Sequence, residues 1–98
     1  MIEIKSEHFG IVLNILKKYL KDCQIIIFGS RVTGNSNKFS DLDIAIDCNE
    51  KIKMSVLFKL EEEFQESDLP FRVDIIDWNR TSESFKKVIN KKCIKIKL

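Results

Sequence analysis

The chain has 98 residues, a net charge of +2, 44% hydrophobic and 33% charged residues. That length allows one domain, residues 1–98, with a small core, and the balance of apolar to charged residues excludes an extensively disordered chain. No apolar run approaches the roughly 20 residues that span a bilayer, and Met1–Lys5 lacks the layout of a signal peptide, so a cytoplasmic location is expected. A charge of +2 gives no argument for direct nucleic-acid binding.

In chain order, Phe9, Val12, Leu13, Leu16 and Leu20 repeat at helical spacing, which predicts a helix over residues 6–22 with Ser6 as N-cap. Gln24–Phe28 is a β-branched run that reads as a buried strand, ended by Gly29-Ser30. Residues 31–40, RVTGNSNKFS, read as a turn or very short helix. Asp41–Asp47 alternates, with Asp41, Asp43, Ala45 and Asp47 on one face and Leu42, Ile44 and Ile46 on the other.

A second helix is predicted over residues 53–66 with Val56, Leu57, Leu60 and Phe64 inward, and Pro70 bars its continuation. A third strand follows over Phe71–Trp78, a helix over about 82–90 capped by Thr81 or Ser82, and a last strand over Cys93–Lys97. The expected fold class is α/β (α+β): a small mixed sheet with helices packed on one face and the active site on the open face.

The chemistry lies in three places. Two carboxylates at i and i+2 on one strand face repel each other unless a cation sits between them, and hard oxygen donors at that spacing suit Mg²⁺. A third carboxylate converges if Asp74 points the same way. Such a trio holds two ions, one escorting a triphosphate and one lowering the pKa of an attacking hydroxyl. Strand phase alone leaves Asp77 as the alternative, with a turn-capping role as its other use. Gly29 permits close backbone approach to a ligand, and Ser30 offers a hydroxyl and an amide N–H to phosphate oxygen. Arg31 follows as a candidate bidentate phosphate partner.

Each feature has an ordinary reading. Gly-Ser after a strand is commonly a turn, and Asp-x-Asp is commonly a solvated strand face. His8 reads as a helix-surface residue. Cys23, Cys48 and Cys93 are scattered and odd in number, so reduced thiols are expected. Six lysines between Lys86 and Leu98 read as a solvated helix end and a guarded edge strand, or as a docking surface for an acidic partner.

Taken together, FGSRVTGNSNKFSDLDIAID resembles the signature of the polymerase-β-type nucleotidyltransferases: Gly-Ser, ten residues, then Asp-x-Asp. FRVDIIDW resembles the strand that delivers the third carboxylate, which maps onto Asp74. The nearest subgroup is the minimal nucleotidyltransferases (MNT). One departure is Thr33, which stands where relatives often place a second arginine.

The resemblance implies the polymerase-β-like fold. It also implies Mg²⁺-dependent transfer of a nucleoside monophosphate, AMP from ATP, to a hydroxyl. It assigns phosphate binding to Gly29, Ser30 and Arg31, and catalysis with metal binding to Asp41, Asp43 and Asp74. It further implies a HEPN-domain toxin as partner, modified on a tyrosine within a hetero-oligomer, with this chain as antitoxin. Two other readings stand beside that one. The acceptor is a small hydroxylated molecule of the aminoglycoside kind, or the chain neutralises its partner by contact alone, through the lysines and exposed apolar residues such as Trp78.

Overall fold

The computed structural model describes residues 2–98. Its elements are α1 (Ser6–Tyr19), β1 (Gln24–Phe28), α2 (Ser30–Thr33), β2 (Leu42–Asp47), α3 (Met54–Glu66), β3 (Val73–Asp77), a 3-10 turn (Trp78–Arg80), α4 (Glu83–Lys91) and β4 (Ile94–Lys97). The four strands form one sheet in the order β3-β2-β1-β4. β1 pairs antiparallel with both β2 and β4, and β3 runs parallel to β2. A parallel neighbour requires a crossover, and α3 provides it.

The long helices lie where the alternation placed them. Val12, Ile15 and Leu16 of α1 and Leu57, Leu60 and Phe64 of α3 pack on Ile25, Ile27, Leu42, Ile44 and Ile46 of the sheet. The opposite face carries a smaller cluster in which Ile89 of α4 covers Ile26 and Ala45, with Phe28, Ile76, Trp78 and Cys93 around it. The sheet therefore has two long helices on one face and one short helix on part of the other. What stays open on that second face is its Asp43–Asp74 end.

Several boundaries differ from expectation. α1 stops at Tyr19, because Leu20 turns extended to bury its side chain and Asp22, at φ 58°, swings the chain into β1. Its N-cap is Lys5, without a side-chain bond, rather than Ser6. Ser82, in contrast, caps α4 by accepting the Phe85 N–H. β3 is shorter than the apolar run, because Phe71 is drawn into the core and Trp78 opens the 3-10 turn. Trp78 is half-buried, with the Lys86 ammonium 5.2 Å from its ring centroid, so it is not the exposed residue expected. His8 lies on α1, half-buried, with its ring edge-on to Phe71 at 5.8 Å.

The cysteines also depart from the reduced-thiol expectation. Cys23 precedes β1 and Cys48 follows β2, and the register pairs their neighbours Gln24 and Asp47. That brings the two cysteine Cα atoms to 4.3 Å, and they are joined as a disulfide; Cys93 is free. Among the described residues no helix is long and apolar enough to cross a membrane.

Candidate active site

Asp43 and Asp74 are direct Cα partners in the parallel β2–β3 register. Paired residues of neighbouring strands project from the same face, so both carboxylates stand on the partly open side of the sheet, away from α1 and α3. This settles the orientation that strand phase left undecided. Val73 and Ile75 pack toward the α1–α3 core, which turns Asp74 outward. Asp41 stands just ahead of β2, exposed, and the next residue locks onto β3 through Leu42 N–H to the Arg72 carbonyl at 2.9 Å.

Asp77 has a different task. It is 5% exposed and accepts hydrogen bonds from Ile52 N–H at 2.8 Å, Asn79 N–H at 3.0 Å and Arg80 Nε at 3.1 Å. It caps the 3-10 turn and ties the start of α3 to the end of β3. Asp47 shares the strand phase of Asp43 but is engaged by the Asn49 N–H and by Asn79 Nδ2. Only Asp41, Asp43 and Asp74 therefore remain as a group.

The electrostatics of that group are unfavourable. Burial, with the Asp74 and Asp41 carboxylates acting in the same sense, pushes the Asp43 carboxyl up to about 6. A site that holds its central carboxylate near neutrality is short of positive charge. The donors are hard oxygens, which fits Mg²⁺. Among the described residues no three His, Cys, Asp or Glu side chains form a ready metal cage. Facing carboxylates without a cage suit an ion that keeps its waters and completes its shell with phosphate oxygens.

Gly29 borders the Asp43 carboxylate. Its φ of 84° and ψ of −161° lie where glycine alone is comfortable. A Cβ there would stand 2.2 Å from Asp43 Oδ2. The glycine thus makes room for a carboxylate as well as for a ligand. Ser30 opens α2, with Gly29 as its N-cap.

Arg31 corrects the expectation placed on it. Its guanidinium is turned inward and only 4% of the residue is exposed. Nε donates to the Ser40 carbonyl at 2.9 Å, Nη1 to Glu3 at 2.6 Å and Nη2 to Lys38 at 3.1 Å, and the group lies 4.2 Å from the Phe71 ring centroid. A side chain so committed does not reach a phosphate. It fastens the 31–40 loop to the N-terminal segment and so sets where Asp41 enters the sheet. Its partners are main-chain carbonyls of residues 3, 38 and 40, which no side-chain pattern in the sequence reports.

Comparison with known proteins adds independent findings. The family description "Polymerase beta, Nucleotidyltransferase" matches residues 12–97. A probable protein adenylyltransferase, MntA, of Haemophilus influenzae is 47% identical over 90 residues, covering 92% of this chain and 79% of that protein. Among solved structures, a toxin-antitoxin with AMP-PNP superposes with a TM-score of 0.71 at 20% identity, covering 88% of this chain and 69% of the other. A mutant of the toxin-antitoxin MntA-HpeT gives the same TM-score and identity, with 90% and 70% covered. The two structural likenesses bear on the fold.

Proposed function

The chain belongs to the polymerase-β nucleotidyltransferase family, and on that premise we propose that it transfers AMP from ATP to a hydroxyl of a partner protein. The acceptor is a tyrosine of a HEPN-type toxin, and the chain acts as its antitoxin within a hetero-oligomer. The observation that carries this reading is the Asp43–Asp74 pairing beside Gly29 and Asp41, taken with the 47% identity to a probable protein adenylyltransferase.

Asp41 and Asp43 are the residues that would hold two Mg²⁺ ions, with Asp74 as ligand to the second. When bound, the ions supply charge neutralisation along the triphosphate and acidify the attacking hydroxyl. The chain's own groups do the rest. Ser30 donates its hydroxyl and amide to the β- and γ-phosphates, and Gly29 lets the backbone come close enough for it to do so. Asp74 orients the acceptor hydroxyl and takes up its proton. Its greater exposure suits a group that meets an incoming molecule, whereas Asp43 sits deeper, on the ATP side. The acceptor oxygen bonds to the α-phosphorus, the bond to the β-phosphate oxygen breaks, and pyrophosphate leaves. Positioning and fixed charge supply most of the rate.

The test is incubation with α-labelled ATP, Mg²⁺ and the protein encoded beside this chain. Label is expected on that protein and absent with the Asp41→Ala, Asp43→Ala double variant. Equal labelling by the double variant would overturn the assignment.

A further inference from the structure

The two edges of the sheet are built differently. β4, at one edge, reads Ile-Lys-Ile-Lys, with Lys95 and Lys97 exposed. Lysines on an edge discourage a further strand from pairing there. β3, at the other edge, reads Val-Asp-Ile-Ile-Asp and has neither lysine nor proline. In its parallel pairing, Leu42 N–H bonds to the Arg72 carbonyl, and Leu42 is the register partner of Val73. That pattern turns the backbone groups of Arg72, Asp74 and Ile76 toward β2 and those of Val73 and Ile75 outward. The outward groups line a groove of about 490 Å³, whose far wall is Glu61, Phe64 and Gln65 of α3. Of the five carboxylates in residues 61–68, Glu61 lines this groove, together with Asp74 and the cation Arg72 at the strand end, while Glu63 turns to Lys18 and Tyr19 of α1.

We propose that the edge of β3 is the docking strand for the acceptor: an extended segment of the partner protein adds to the sheet beside Val73 and Ile75, with basic residues flanking its hydroxyl side chain. This deepens the proposed transferase reading and rests on it. A strand added at the usual spacing of about 4.8 Å continues the pleat. A side chain abreast of Asp74 then falls on the carboxylate face, its Cβ about 5 Å from that of Asp74. Strand addition therefore delivers a hydroxyl to the exposed Asp74 end of the carboxylate group without a separate acceptor pocket. Main-chain bonds supply affinity in such docking, and alternate side chains supply selectivity. Glu61, the carboxylate on the α3 wall, selects lysine or arginine on the incoming segment.

The test is amide hydrogen exchange on the full chain, with Mg²⁺ and a non-hydrolysable ATP analogue, before and after adding the partner protein. Exchange at Val73 and Ile75 is expected to slow at least tenfold. A bound partner that leaves those amides unchanged overturns the proposal, whether or not AMP is transferred. Protection of the same amides without any AMP transfer would leave the docking edge standing and remove the transferase reading. Protection that grows with the concentration of this chain alone, together with dimers in sedimentation, would assign the edge to a second copy and also overturn the proposal. As a second measure, Ile75→Pro removes one outward N–H, and Glu61→Lys reverses the charge of the wall. Each is expected to cut partner labelling at least tenfold while binding of a fluorescent ATP analogue stays within twofold. Unimpaired labelling by both variants counts against the edge.

Discussion

Gly29 and Asp43 occupy what is nearly one volume: a Cβ on the glycine would lie 2.2 Å from the aspartate's Oδ2. The close approach follows from the β1–β2 register, which pairs Phe28 with Asp43 and leaves Gly29 to turn away over the carboxylate. Gly29→Ala is therefore expected to act twice. It strains a backbone conformation reserved for glycine, at about 2 kcal/mol, and it displaces the Asp43 carboxylate. A fall in the urea midpoint together with loss of Mg²⁺-dependent ATP binding is the expected result. A stable variant with normal binding would contradict it.

The pH dependence of stability should carry an uncommon sign. The Asp43 carboxyl is pushed up from 3.8 to about 6, so the folded state holds a proton that the unfolded chain has lost. Its favourable contribution is full below about 4 and is lost as pH rises through about 6. The shift bounds the effect at about 3 kcal/mol, and solvent in the open cleft reduces it to about 1. Asp43→Asn is expected to melt higher than the parent at pH 7.5, with the gap closing toward pH 4. Mg²⁺ with ATP should raise the parent's melting temperature and leave the variant's unchanged. Thermal melts across that range measure both.

Asp74 and Asp77 should separate cleanly. Asp77→Ala strands the donors of Ile52, Asn79 and Arg80 in a buried place, at about 3 kcal/mol. Asp74→Ala removes an exposed side chain and should leave stability within about 0.5 kcal/mol while lowering AMP transfer at least a hundredfold. Parallel melts and label-transfer assays decide it; equal loss of stability in both variants would be incompatible with a catalytic Asp74 beside a structural Asp77.

Arg31→Lys tests the loop fastening. A lysine ammonium cannot span the carbonyls of Glu3, Lys38 and Ser40 at once. A destabilisation of about 2 kcal/mol is expected, with the KM for ATP within about threefold of the parent at temperatures where both are folded. A KM raised tenfold or more without loss of stability would return Arg31 to the phosphate.

The Cys23–Cys48 bridge closes a loop of sequence separation 25. Reduction is expected to lower stability by about 3 kcal/mol. The oxidised chain should show one reactive thiol, Cys93, and the reduced chain three, by thiol titration under denaturing conditions. An oxidised sample with three titratable thiols would exclude the bridge.

The legible parts of this molecule were those with a period. The alternation of Asp41–Asp47 put Leu42, Ile44 and Ile46 inward and Asp43 outward, and the stripes on α1 and α3 named most of the core. β3 was ambiguous because apolar residues occur at both parities, Val73 and Ile75 against Ile76, and only its register with β2 decides which aspartate faces out. Arg31 misled for a related reason. Its partners are backbone carbonyls from two distant stretches, and carbonyls leave no trace in a side-chain pattern. The bridge between Cys23 and Cys48 likewise depends on which strand ends meet. α4 covers the second face through Ile89 alone among its fully buried residues, too little to outweigh the reading of a solvated, lysine-rich segment.

The parallel pairing of β2 with β3 also divides the site in time. A ribosome that has released only the first fifty residues has delivered the entire Gly-Ser and Asp-x-Asp signature. Yet Asp74 and the β2–β3 ladder belong to residues made later, across the α3 crossover. A chain cut or stalled before Val73 carries the family's hallmark in full and no assembled centre. Recognising the signature and possessing the activity are separate events in the life of the polypeptide.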